Sequence, residues 1–168
     1  MTMSVSKSEF LAANDRIRRS TAVVPLEAAP TRRVAIVTCM DARVDVYRAL
    51  GLETGQAHVI RNAGGVITDD VIRSLCISQQ RLGTNEVAII HHTRCGLENF
   101  DEVAFREDLQ ASTGADPPWP IGSFADAADD VRTSISTLVA SPFLAYDDAI
   151  TGYIYDVDCG ELVVVDES

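Results

Sequence analysis

Residues Arg33 to Arg43 read "RVAIVTCMDAR", a nearly unbroken apolar run followed by a thiol, a carboxylate and a guanidinium. A run without polar alternation suits a strand covered on both faces, as in a parallel sheet, whereas a half-exposed strand would alternate. "EVAIIHHT", Glu86 to Thr93, has the same character and leads into "RCG", so that His91, His92 and Cys95 stand at its end. "AHVIRNA", Ala57 to Ala63, is a third β-like run and leads to Gly64 and Gly65.

Between the run at Ala57 and the run at Glu86 lies "TDDVIRSLCISQQRLG". Thr68 suits an N-cap, Asp69 and Asp70 favour the positive end of a helix, Val71, Leu75 and Leu82 share a face, and Gly83 suits the stop. Strand, helix and strand joined by short loops imply a parallel crossover. Parallel runs then bring Cys39 and the His92/Cys95 pair to one edge of the sheet, beyond the strand C-termini. Open α/β sheets place their ligand crevices at that edge.

Outward from this centre the signals are simpler. Ser6 to Arg19 reads as a helix opened by a capping box of Ser6 and Glu9, with Phe10, Ala13 and Ile17 on one narrow stripe. Pro25 and Pro30 mark an extended linker that leaves this arm free to pack on a neighbouring subunit. "GADPPWPIGS" reads as loop, and Phe124, Ala128, Val131, Ile135 and Leu138 recur at helical spacing until Pro142. "AITGYIYDV" and "ELVVV", joined by "DCG", form a hairpin that closes an edge of the sheet. The expected fold class is α/β: a mainly parallel central sheet with flanking helices, a C-terminal antiparallel edge strand and an N-terminal helical arm. The expected division is an arm and linker over residues 1–32 and one catalytic domain over 33–168.

The 168 residues carry a net charge of −11. That balance disfavours nucleic acid and anionic membrane surfaces, both of which attract clustered Lys and Arg. The N-terminus lacks a secretory h-region, and no apolar stretch reaches the roughly 18 residues of a membrane span. A cytoplasmic location follows as the expectation, in which Cys39, Cys76, Cys95 and Cys159 serve as ligands, nucleophiles or packed groups rather than disulfides.

Cys39, Cys95 and one imidazole make a Cys2His set, one of the ligand sets of catalytic zinc. Alternation turns His91 and His92 to opposite faces, and the H-x-x-C spacing favours His92. Two other readings stand beside this one. The cysteines could be packed small residues, or Cys39 or Cys95 could be the nucleophile of a Cys-His thiol hydrolase. The absence of an Arg six residues after either cysteine argues against a phosphatase loop. Cys76, Cys159 and His58 read as packing or surface residues.

"CMDAR", "RNAGG" and "HHTRCG", in this order, resemble the β-class carbonic anhydrases from about Arg33 to Leu97. The resemblance implies zinc on Cys39, His92 and Cys95, and a catalytic carboxylate and guanidinium pair, Asp41 and Arg43. It implies reversible hydration of CO2 to bicarbonate by a metal-bound hydroxide. The unit it implies is a homodimer embraced by the N-terminal helices, paired into tetramers in some members. The backbone at Gly64 and Gly65 would approach the substrate, or the glycines could be simple turn residues. Arg94 stands where many members carry an acid; it could draw bicarbonate inward or be a solvated loop residue. Relatives on the scaffold hydrolyse carbonyl sulfide or carbon disulfide, which makes those substrates the alternative. A non-catalytic zinc-stabilised binding module, with Asp41 filling the fourth position, is the other.

Overall fold

The computed structural model describes residues 7–21 and 24–166. Its centre is a five-stranded sheet in the order β2-β1-β3-β4-β5, with β1 at Val34–Cys39, β2 at Ala57–Asn62, β3 at Glu86–His92, β4 at Ile150–Tyr155 and β5 at Leu162–Val165. The first four are parallel, and β5 returns antiparallel to β4. The expected α/β architecture, including the antiparallel edge, is therefore present. The crossover from β2 to β3 passes over β1, so the apolar β1 becomes an inner strand between its two parallel partners. Its residues Ala35, Ile36, Val37 and Thr38 are all buried.

Helices α1 (Lys7–Ser20), α2 (Val46–Leu50), α3 (Asp69–Leu82), α4 (Glu102–Thr113) and α5 (Ala127–Val139) complete the chain. α3 begins and ends where its caps dictate: Thr68 accepts from the Val71 amide and Gly83 takes the left-handed conformation at the stop. Val71 and Leu75 of α3 join Val131, Ile135 and Leu138 of α5 over one face of the sheet, against Ala35, Val37, Val87 and Ile89. The opposite face is covered less completely, and a groove of about 490 Å3 runs along Ile36, Leu50, Ala88, Ile90, Tyr153 and Leu162.

Three expectations need correction or restriction. Phe124 precedes α5 instead of belonging to it, because Asp126 caps the helix by accepting from the Ala128 and Asp129 amides. Cys39 and His92 are the last residues of their strands, not residues just beyond them. The Ser6 half of the capping box lies outside the described residues. Helices α2 and α4 carry little apolar pattern. α4 buries no residue fully; Phe105 packs edge-on against Phe100, and Glu102 Oε1 accepts from the Ser123 amide and hydroxyl at 2.8 Å each. Arg106 on the same helix donates to the carbonyls of Pro117 and Trp119.

Gly152 marks the closest approach of α5 to the sheet, where a Cβ would overlap the Val131 side chain and crowd Ile135 at 3.1 Å. Gly152→Ala is expected to destabilise the fold by about 3 kcal/mol, the upper range for overpacking a core. Thermal unfolding should register this as a midpoint lowered by roughly 10 °C for a chain of this size.

Candidate metal centre

The register of the two inner strands builds the site. β1 and β3 pair in parallel from Val34↔Glu86 to Thr38↔Ile90, and Thr38 Oγ1 donates to the Ile90 carbonyl at 2.7 Å across the same step. Cys39 therefore ends level with His91, one step short of His92 at the same edge, and a tight turn through Thr93 and Arg94 returns Cys95 to the pair. The ligand atoms of Cys39, His92 and Cys95 lie within 4.8 Å of one another, and all three residues are buried. The two sulfurs are 4.0 Å apart. Zn–S bonds of about 2.3 Å in a tetrahedron would separate them by about 3.8 Å.

The imidazole is prepared for a ligand. Nδ1–H of His92 donates to the Thr93 carbonyl at 2.9 Å, which leaves the Nε2 lone pair outward, and Nε2 is buried without a hydrogen-bond partner. An orphaned buried acceptor is costly unless another group satisfies it. The hydrogen bond from Cys95 pushes the Cys39 thiol down to about 4 against the opposing effect of burial. The same bond, reinforced by burial, pushes Cys95 up. Two adjacent sulfurs that resist ionising together are the arrangement a divalent cation resolves, and the residues fit such a group.

Asp41 stands beside the cluster, its Oδ2 3.9 Å from His92 Nε2. Arg43 holds both carboxylate oxygens: its amide and Nε donate to Oδ1 at 2.9 Å each and its terminal nitrogen to Oδ2 at 2.7 Å. These bonds keep the Asp41 carboxyl well below the usual range, so it is an ionised acceptor. Arg61 fastens the backbone underneath, donating to the carbonyls of Cys39 and Asp41 at 2.9 and 2.7 Å. Gly65, at φ +74°, lies against the backbone of Thr38 and Cys39, whereas Gly64 sits against the side chains of Val66 and Leu97. Both glycines are thus close to the cluster.

A sequence model described as carbonic anhydrase matches residues 34–114. β-Carbonic anhydrase 1 of Mycobacterium tuberculosis is 49% identical over 138 residues, covering 82% of this chain and 85% of that protein. The chain belongs to the β-carbonic anhydrase family. Its fold is shared with the carbonic anhydrase of Streptococcus mutans at a TM-score of 0.90 and 44% identity, over 99% of this chain and 100% of that one. A carbon disulfide hydrolase from Acidianus is 31% identical over 78% of this chain and 76% of its own length. This is a family of metal-dependent enzymes acting on small molecules, and both names appear among the relatives of this chain.

The other histidine points the opposite way. His91, fully buried, bonds Asp130 through Nε2 at 2.7 Å and packs on the Phe124 ring at 5.1 Å. His58 bonds Ser78 and the Ala28 carbonyl, anchoring the linker. Cys76 packs against the core from α3, and Cys159 is exposed in the β4–β5 turn. Arg94 is paired with Asp158 at the surface. Sequence reasoning missed Asp130, Phe124 and Asp158; the first and last lie far along the chain from their partners, and Phe124 carries no motif.

Proposed function

We propose that the chain is a zinc-dependent carbonic anhydrase that converts CO2 and water reversibly to bicarbonate and a proton. The observation that carries this reading is the convergence of Cys39, His92 and Cys95 beside an Asp41 whose oxygens are both held by Arg43. Zinc on these three residues would supply a Lewis acid that lowers the pKa of water toward neutrality. Asp41 Oδ2, ionised and therefore acceptor-only, takes the O–H of the reacting water and turns its lone pair toward the carbon of CO2. Arg43 holds that acceptor in place. Gly64 and Gly65 let the backbone approach the substrate, and Val66, Leu97 and Phe124, packed around the two cysteines, offer a linear apolar molecule a dry wall. Stopped-flow CO2 hydration by the zinc-loaded protein tests this; no acceleration over the buffer blank overturns it.

The second reading is hydrolysis of carbon disulfide or carbonyl sulfide at the same metal, and the Acidianus relative favours its carbon disulfide form. Sulfide release measured beside CO2 hydration ranks the two. The binding module needs Asp41 at the metal, and the grip of Arg43 on both its oxygens argues against that.

The proposed unit is a homodimer clasped by α1, the pairing of dimers into tetramers being left open, with residues 1–32 as arm and linker and 33–168 as the catalytic domain. Phe10, Leu11 and Ile17 are 67%, 60% and 59% exposed, and an arm with so little cover in its own chain requires a partner. Removing residues 1–20 is expected to weaken association at least about 100-fold, the effect of exposing two or three large apolar side chains. Sedimentation at micromolar and nanomolar concentration checks it. No helix among the described residues is long and apolar enough to cross a membrane, and the proposed location is the cytoplasm.

A further inference from the structure

We propose that Asp158, in the β4–β5 turn, is a positioning residue that acts through Arg94 to fix the guanidinium of Arg43. The inference rests on the reading of Asp41 and Arg43 given above. One terminal nitrogen of Arg43 donates both to Asp41 Oδ2 at 2.7 Å and to the Arg94 carbonyl at 3.0 Å. That carbonyl faces Arg43 because Arg94 adopts φ +56°, a left-handed conformation that residues with a Cβ avoid. Arginine is a poor choice for such a turn and its side chain is exposed; the ion pair of its guanidinium with Asp158, together with the bond its carbonyl accepts from Arg43, offsets that cost.

The far end of this linkage is rigid. Asp156 Oδ1 accepts from the amides of Asp158 and Cys159, the Asp156 carbonyl accepts from Gly160, and the Asp156 amide donates to Glu161. Two further bonds dock the turn onto the end of β3: Thr93 N to the Tyr155 carbonyl at 3.0 Å and Val157 N to Thr93 Oγ1 at 3.1 Å. Asp158 is thus presented to Arg94 from an anchored platform. Its partner's main chain then sets the second acceptor of Arg43, and Arg43 sets Asp41. A residue 64 positions from Arg94 in sequence, and without contact to the metal ligands, bears on the orientation of the carboxylate.

The test is a cycle on the zinc-loaded full-length protein, comparing Asp158→Asn in the native background and in Arg94→Gly. Glycine takes the left-handed conformation without an ion pair. In the native background Asp158→Asn should lower kcat for CO2 hydration about threefold to fivefold, the ceiling for an exposed ion pair, with KM unchanged. It should also speed exchange of the Arg43 Nε–H with water, followed by NMR. Asp158→Lys, which repels Arg94, should exceed both effects. In the Arg94→Gly background only the weaker direct attraction between Asp158 and Arg43 remains, so Asp158→Asn should change both quantities much less. Equal changes in the two backgrounds, or an Arg43 exchange rate indifferent to Asp158, would overturn the proposal even if unfolding temperature moves. The exchange measurement does not depend on turnover. A protein inactive toward CO2 therefore refutes the functional reading while the linkage is still decided.

Discussion

Cys95→Ser should leave the protein folded but strip it of zinc, and with the metal remove CO2 hydration by more than about 100-fold, beyond the usual loss for an outer partner of a ligand. Serine keeps the size of the side chain but offers a hydroxyl that does not ionise near neutral pH, where a metal needs a thiolate. Cys159→Ser is the matched control, because Cys159 is exposed in the hairpin turn and is not one of the three clustered ligands. Elemental analysis of both variants purified without chelator decides the matter. Equal zinc content in the two would remove Cys95 from the ligand set.

The second large effect is expected at Gly65. A Cβ there would stand 2.8 Å from the Cys39 amide nitrogen and 2.9 Å from the Thr38 carbonyl carbon, both main-chain atoms that cannot swing aside. The position also has φ +74°, which adds roughly 1–2 kcal/mol for a residue with a side chain. Together with the steric overlap, Gly65→Ala should cost roughly 3 kcal/mol of stability. The strain falls on the end of β1 and shifts Cys39 relative to Cys95, so zinc affinity should fall as well. Gly64→Ala is the informative comparison. Its Cβ meets only the Val66 and Leu97 side chains, at 3.1 and 3.3 Å, which can repack. Its loss should therefore appear mainly as backbone strain, with metal binding retained. Competitive titration with a zinc chelator separates the variants, and similar zinc affinities for both would contradict this account.

What was legible in the sequence follows from where the physics is local. β1 and β3 could be read because residues buried on both faces must be apolar throughout. The thiols and imidazoles stood out because they interrupt such runs at their ends. Thr68 and Gly83 bounded α3 correctly because caps act within one turn of backbone. α2 was invisible because five residues carry too little periodicity, and α4 because Glu102 and Arg106 hold it through distant carbonyls and amides rather than through an apolar stripe. Phe124 matched the helical spacing by coincidence, since it pairs with Glu98 in an isolated bridge. In the site, periodicity separated His92 from His91, and their opposite orientations agree. The support given by Asp130, Arg61 and Asp158 depends on which segments meet in space, and no spacing rule encodes that.

The passage of the β2–β3 crossover over β1 has a consequence for how the protein comes to hold its ion. Cys39 and Cys95 are separated by 56 residues, and the intervening chain includes an edge strand and the helix that carries it back across the sheet. Contacts of such long range form late, after the entropy of closing the loop has been overcome. An emerging polypeptide that has exposed only Cys39 offers a single thiol, which is no chelate. In small zinc modules, neighbouring ligands capture the metal and organise the chain around it. Here maturation should run the other way, with the parallel sheet assembling first and the ion entering a cavity already shaped, so that metal supply limits activity without limiting the yield of folded protein.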